Sequence, residues 1–146
     1  MLATVEHYRD IATVPLMSLL ASDMPFRDVL VQLMTFATDN GDRPAGCLLT
    51  AMRYSPNRLG PATLAKVESI TNELLDSYEA LYLRAISRGE ADPSVPAKLA
   101  ARYLDMQLTA ALLQITLAVN PRLLRKQMGL ALKSILPTED WEKFKA

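Results

Sequence analysis

An all-α fold of about six to seven helices follows from three features of this 146-residue sequence. Apolar residues recur at spacings of three and four along most of it. No segment alternates with period two over a strand's length, and Pro or Gly punctuates the junctions between periodic runs. Half the residues are hydrophobic (50%) against 22% charged, so residues 1–146 are expected to form a single domain with a core of its own.

Ala3 to Ala21 spaces Val5, Tyr8, Ile11–Ala12, Pro15–Leu16 and Leu19–Leu20 as a helix does. Pro15 predicts either a kink or the meeting of two shorter helices. Ser22 or Asp23 is the expected cap of the next helix, with Pro25 in its first turn and Phe26, Val29, Leu30, Leu33, Met34 and Phe36–Ala37 along it. Asn40–Gly41 supplies its left-handed stop, and GDRPAG (41–46) reads as a loop. A short apolar segment runs from Cys47 to Tyr54. Gly60–Pro61 opens the longest helix, Ala62 to Arg88, with Gly89 just past its end; Leu64, Val67, Thr71, Leu74, Tyr78, Leu81 and Ala85 share one face. EADPSVP (90–96) is a second loop.

The helix expected from Lys98 to Val119 is nearly bare of charge. Between Leu108 and Val119 the polar side chains are Thr109, Gln114 and Thr116, which do not form a solvent face. A helix apolar on nearly all sides must be covered on more than one. In a domain this small, a second copy of the chain can supply the second cover. Asn120 caps and Pro121 restarts a helix to Leu136, so the two are close neighbours. The pair is expected to form a homodimerisation platform through Leu108, Ala111, Leu112, Ile115, Leu124, Met128, Ala131 and Ile135. Pro137 ends it, and Thr138 is placed to cap a short terminal helix bearing Trp141 and Phe144.

Sixteen Lys+Arg balance sixteen Asp+Glu, which leaves no net field for phosphate backbones, so nucleic-acid binding by this chain alone is not expected. No apolar run approaches the ~20 residues of a membrane span, and the early Glu6 and Asp10 do not fit a secretory signal. A lone cysteine, Cys47, suits a reducing cytoplasm. The single histidine, His7, has no nucleophile-elbow sequence to serve and is too few for a His-based zinc site. Asp39-Asn40-Gly41-Asp42 lacks the later glutamate of a calcium loop. No enzyme activity, metal or cofactor is expected. Arg122, Arg125 and Lys126 oppose the dipole at a helix start, which points to a solvated face or to an ion pair across a subunit interface.

A pocket is the remaining candidate. Methionine and aromatic side chains line adaptable apolar cavities, though the same residues serve equally as core. The candidates to line it are Met17, Met34, Cys47, Met52, Tyr78, Tyr82, Met106 and Gln107, with Thr50, Glu79 and Gln114 as further polar decoration. An enclosed void of ~300 Å³ or more would favour sensing, and a filled core would favour a plain helical homodimeric scaffold.

The segment Arg43-Pro44-Ala45-Gly46-Cys47-Leu48-Leu49 resembles the Gly-Cys-Leu/Phe-Leu turn-and-helix in the regulatory domain of TetR-family transcriptional repressors. The likeness continues through Arg84-Ala85-Ile86-Ser87-Arg88-Gly89-Glu90, the Asp92-Pro93 loop, and a last helix ending Leu130-Ala131-Leu132-Lys133-Ser134-Ile135. It covers roughly residues 3 to 136. The resemblance implies a C-terminal domain whose last two large helices pair with their copies in a four-helix bundle. It further implies that the earlier helices enclose a pocket for a small apolar or amphipathic effector, with the first helix as connector. The family's N-terminal helix-turn-helix unit has no counterpart in these residues, so operator DNA is not expected to be bound by this polypeptide itself.

Overall fold

The computed structural model describes residues 1–39 and 47–137, and every regular element among them is helical. In order these are α1 (Leu2–Tyr8), a π-helical turn (Arg9–Thr13), α2 (Val14–Leu20), α3 (Phe26–Thr38), α4 (Leu48–Arg53), a 3-10 turn (Pro56–Arg58), α5 (Pro61–Ser87), α6 (Ala97–Thr116), α7 (Pro121–Leu132) and a closing 3-10 turn (Lys133–Ile135). The expected stop at Asn40–Gly41, the 41–46 loop and the terminal helix with Trp141 and Phe144 lie outside the described residues.

Pro15 shapes the first run in a way its spacing alone does not dictate. Proline has no N–H, and its ring crowds the carbonyl four residues earlier. The chain widens into a π turn just upstream, so residues 2–20 stay helical without separating into two helices. Arg9, at the start of that turn, reaches Glu73 on α5 at 2.8 Å and ties it to the body.

The cap of α3 differs from the expected one. Neither Ser22 nor Asp23 fills the role: Pro25 is the N-cap residue, and the Phe26 N–H donates to Glu90 Oε2 at 2.9 Å. A carboxylate from just past the C-terminal end of α5 thus meets the positive end of the α3 dipole. Phe26 also meets Tyr82 edge to face, centroids 5.8 Å apart, and the Tyr82 hydroxyl donates to the Asp92 carbonyl at 2.7 Å. At the other end of α3, Arg125 of α7 donates to the hydroxyls of Thr35 (2.7 Å) and Thr38 (3.1 Å). One member of the basic cluster is therefore a tether within the protomer, placed where a helix C-terminus favours a cation.

α6 is the hub, packing on α3, α4, α5 and α7. It ends three residues earlier than its apolar run suggests. Asn120 caps α7 as expected, its side chain accepting from the Arg122 N–H at 2.9 Å. Helices α5 and α6 close alike. Glu90 N–H donates back to the Ala85 carbonyl and Gly89 N–H to Ile86; Val119 N–H donates to Gln114 and Ala118 N–H to Ile115. Both are Schellman motifs, which need a residue in the left-handed region. Gly89 supplies it at φ +71, but the second motif forces Ala118 to φ 58.

A Cβ at Gly89 would meet nothing within 4 Å, so substitution there carries a conformational cost alone. Gly89→Ala should lower the unfolding free energy by about 1 kcal/mol, and Ala118→Gly should raise it by about the same amount. Urea denaturation of the two variants reads both signs, and equal shifts in one direction would contradict the assignment.

Candidate functional site

Where α1, the π turn and α2 cross α5, and α4 closes against α5 and α6, side chains leave a cavity of about 30 Å³. The N-terminal run contributes Tyr8, Ala12, Thr13 and Leu16; α4 with its preceding residue contributes Cys47, Leu49, Thr50 and Arg53. Leu74 and Tyr78 come from α5, and Asp105, Leu108, Thr109 and Leu112 from α6, with Phe36 of α3 at the margin. Most of this wall is apolar. A void of this size admits water-sized occupants, about a tenth of the ~300 Å³ at which drug-sized pockets begin.

The polar groups are clustered. Arg53 meets Asp105 with two parallel hydrogen bonds, Nη1 to Oδ1 at 3.0 Å and Nη2 to Oδ2 at 2.7 Å. Their side chains are only 23% and 11% exposed, so each charge depends on the other for the solvation it has lost. That hydrogen bond to Asp105 is the main cause that raises the Arg53 pKa above its already high value. The Tyr8 hydroxyl donates to Cys47 Sγ at 3.0 Å. Tyr78 is 1% exposed, and its hydroxyl has no hydrogen-bond partner among the described residues. Burial, and then the charge of Asp105, push its pKa far above that of an ordinary phenol, so it stays protonated.

Of the eight pocket candidates from sequence, Cys47 and Tyr78 line this cavity. Met34 and Met52 are buried in the core and not on this wall, Met17 is half-buried, and Tyr82, one helical turn on from Tyr78, packs against Phe26. Met106 is 60% exposed and Gln107 half-buried, neither on the cavity wall. Sequence reasoning missed Arg53 and Asp105. Asp105 carried a signal, as the single acid in the otherwise greasy α6; its partner, 52 positions earlier, carried none.

The residues expected at a subunit contact face the protomer's own interior. Ala111, Ile115, Leu124, Met128 and Ile135 are buried, Ala131 is half-buried, and Leu108 and Leu112 are buried on the cavity wall. Other faces of the same helices are the ones left exposed. Those faces are apolar. Leu99, Met106 and Leu117 on α6, with half-buried Leu113 between them, form one stripe; Leu123 and Leu130 form another on α7. Leu117 is 76% exposed and Leu130 67%. His7 is exposed, and no group of three or more potential metal ligands occurs among the described residues.

Removing one member of the Arg53–Asp105 pair leaves an uncompensated, desolvated charge. Asp105→Ala should cost about 2–3 kcal/mol of stability, and Arg53→Met combined with Asp105→Leu should recover most of that. Chemical denaturation of the single and double variants measures the coupling; simple additivity would show that the two side chains act independently.

No protein-family profile matches the chain, and no curated protein matches it significantly by sequence. Among solved structures, the reduced form of E. coli NemR superimposes with a TM-score of 0.76 at 16% identity, over 93% of this chain and 73% of that one. No described helix is long and apolar enough to cross a membrane. NemR is a TetR-family regulator, and the likeness gives this chain that protein's all-α fold.

Proposed function

We propose that this chain is the effector-sensing and homodimerising domain of a TetR-like transcriptional regulator, and that it is not an enzyme. The observation that carries this reading is the make-up of the cavity wall. Ala12 and Thr13 belong to the π turn, which interrupts the first helical run. A π turn and an α turn differ by one residue of hydrogen-bond register, so a change between them would be a discrete rearrangement of this segment. An effector that fits the cavity better in one register shifts the population toward it, and one that fits both equally shifts nothing. The first helical run is then the connector, and any DNA reading would belong to a part of the regulator outside these residues.

Dimerisation is assigned to the exposed stripes of α6 and α7. In each, leucine or methionine recurs at seven-residue spacing (Leu99, Met106 and Leu113; Leu123 and Leu130), the period of a helix seam that packs against other helices. Two such helices from each protomer would form a four-helix contact.

A helical homodimer that binds no small molecule is the second reading, and the small cavity favours it. A library of apolar and amphipathic compounds separates the two. Under the sensing reading some members raise the melting temperature in a concentration-dependent way; a flat response throughout favours the scaffold. Association is tested separately. Wild-type protein should sediment as a dimer at micromolar concentration. Met106→Glu combined with Leu130→Glu, both at exposed positions, should give a folded monomer with an unchanged helical spectrum. A monomeric wild type, or a variant that still dimerises, overturns the assignment of these faces.

A further inference from the structure

The cavity chemistry narrows the effector class, an inference that rests on the sensing reading above. We infer that the cavity takes an uncharged molecule with an apolar body and one acceptor oxygen, a ketone, aldehyde, quinone or ester carbonyl, which receives the hydrogen bond of Tyr78. Three observations carry it.

The first is the Tyr78 hydroxyl itself, buried on the cavity wall without a partner among the described residues. A buried donor left unmade is costly, whereas most buried polar groups are satisfied. Protein groups pair the other polar side chains whose bonds are on this wall: Tyr8 with Cys47 Sγ and Arg53 with Asp105. The hydroxyl lies within the electrostatic reach of Asp105, Arg53 and Cys47, which places it toward the polar side of the cavity rather than in the leucine packing. The second is its protonation. A phenol that stays neutral has a proton to give, so its natural complement is an acceptor.

The third is charge. Arg53 and Asp105 cancel, and both of the Asp105 oxygens are engaged by the one guanidinium. An incoming carboxylate could gain Arg53 only by stripping it from Asp105, which would strand a desolvated carboxylate. A cation would face the reverse exchange. A hydrocarbon enters without charge conflict but leaves the Tyr78 donor dry. An uncharged carbonyl compound is the class that pairs the Tyr78 donor and leaves the Arg53–Asp105 pair intact. Since about 30 Å³ has room for a water and little more, the apolar body enters by spreading the surrounding leucines.

Three compounds of matched shape test this: acetophenone, α-methylstyrene (a methylene in place of the carbonyl oxygen) and benzoate. Their affinities for the whole chain are measured by NMR titration, with amide shifts at Thr50, Tyr78 and Thr109 locating the site. Acetophenone should bind about tenfold more tightly than α-methylstyrene, with benzoate weakest. In Tyr78→Phe, which removes an unpaired hydroxyl and should melt no lower than wild type, the ketone preference should fall to near one. The wild-type ranking alone decides the matter if that variant fails to fold. A hydrocarbon that binds as well as the ketone, a preference for benzoate, or a ketone preference that survives Tyr78→Phe each overturns the carbonyl assignment while leaving a sensing cavity in place. If none of the three binds at this cavity, the carbonyl assignment falls, and a flat response across the library above takes the sensing reading with it.

Discussion

A helix with almost nothing charged on it has to be covered, and the arrangement of this protein is the answer to that constraint for α6. Its inward face is closed by α3, α5 and α7. Along that face Ala100, Ala101, Leu104, Leu108, Ala111, Leu112 and Ile115 are all buried, and burial of this kind contributes roughly 25 cal/mol for each Å² of apolar surface removed from water. The single acid on α6, Asp105, is buried with them and would be untenable alone. Arg53, arriving on the short helix α4, answers it with a planar two-point contact that a lysine could not reproduce. The pair thus fixes α4 against α6 and, with it, the roof of the cavity.

What the sequence disclosed was what is local. The left-handed stop at Gly89 and the cap at Asn120 depend on neighbours within a few residues, and both stand where the spacing put them. The features it hid join distant positions. Glu90 capping Phe26, Arg125 bridging to Thr35 and Thr38, and Arg53 pairing with Asp105 span 52 to 90 residues, and no periodicity encodes them. The cap of α3 is instructive: Ser22 and Asp23 are good capping types in the right neighbourhood, yet a distant carboxylate takes the N–H.

The orientation of α6 and α7 was hidden for a different reason. Helical periodicity identifies an inward face by contrast with a polar one, and from Leu108 to Val119 that contrast is nearly absent. Assigning Leu108 and Leu112 to a partner and Met106 to a pocket separates two apolar faces that composition does not distinguish. Packing separates them: the former line the cavity, and Met106 points to solvent. The same holds for the expected pocket residues: Cys47 and Tyr78 lie on this cavity wall, whereas Met34, Met52 and Tyr82 are buried in the core.

Once the two faces are told apart, their relation on α6 becomes consequential. At 100° per residue, Asp105, Leu108, Thr109 and Leu112 centre on one side of the helix, and Leu99, Met106, Leu113 and Leu117 lie roughly a third of the way round. Those two sets are therefore carried by one rigid body. A molecule that spreads Leu108 and Leu112 cannot do so without rolling or translating α6, because a close-packed interior transmits displacement instead of absorbing it. The stripe must move with it, as must Arg53 through its bond to Asp105. Ala12 and Thr13 of the π turn line the same cavity, and a change of hydrogen-bond register there would be a discrete rearrangement of the backbone. Because the cavity is small, an occupant larger than water has to displace at least one of the segments that line it.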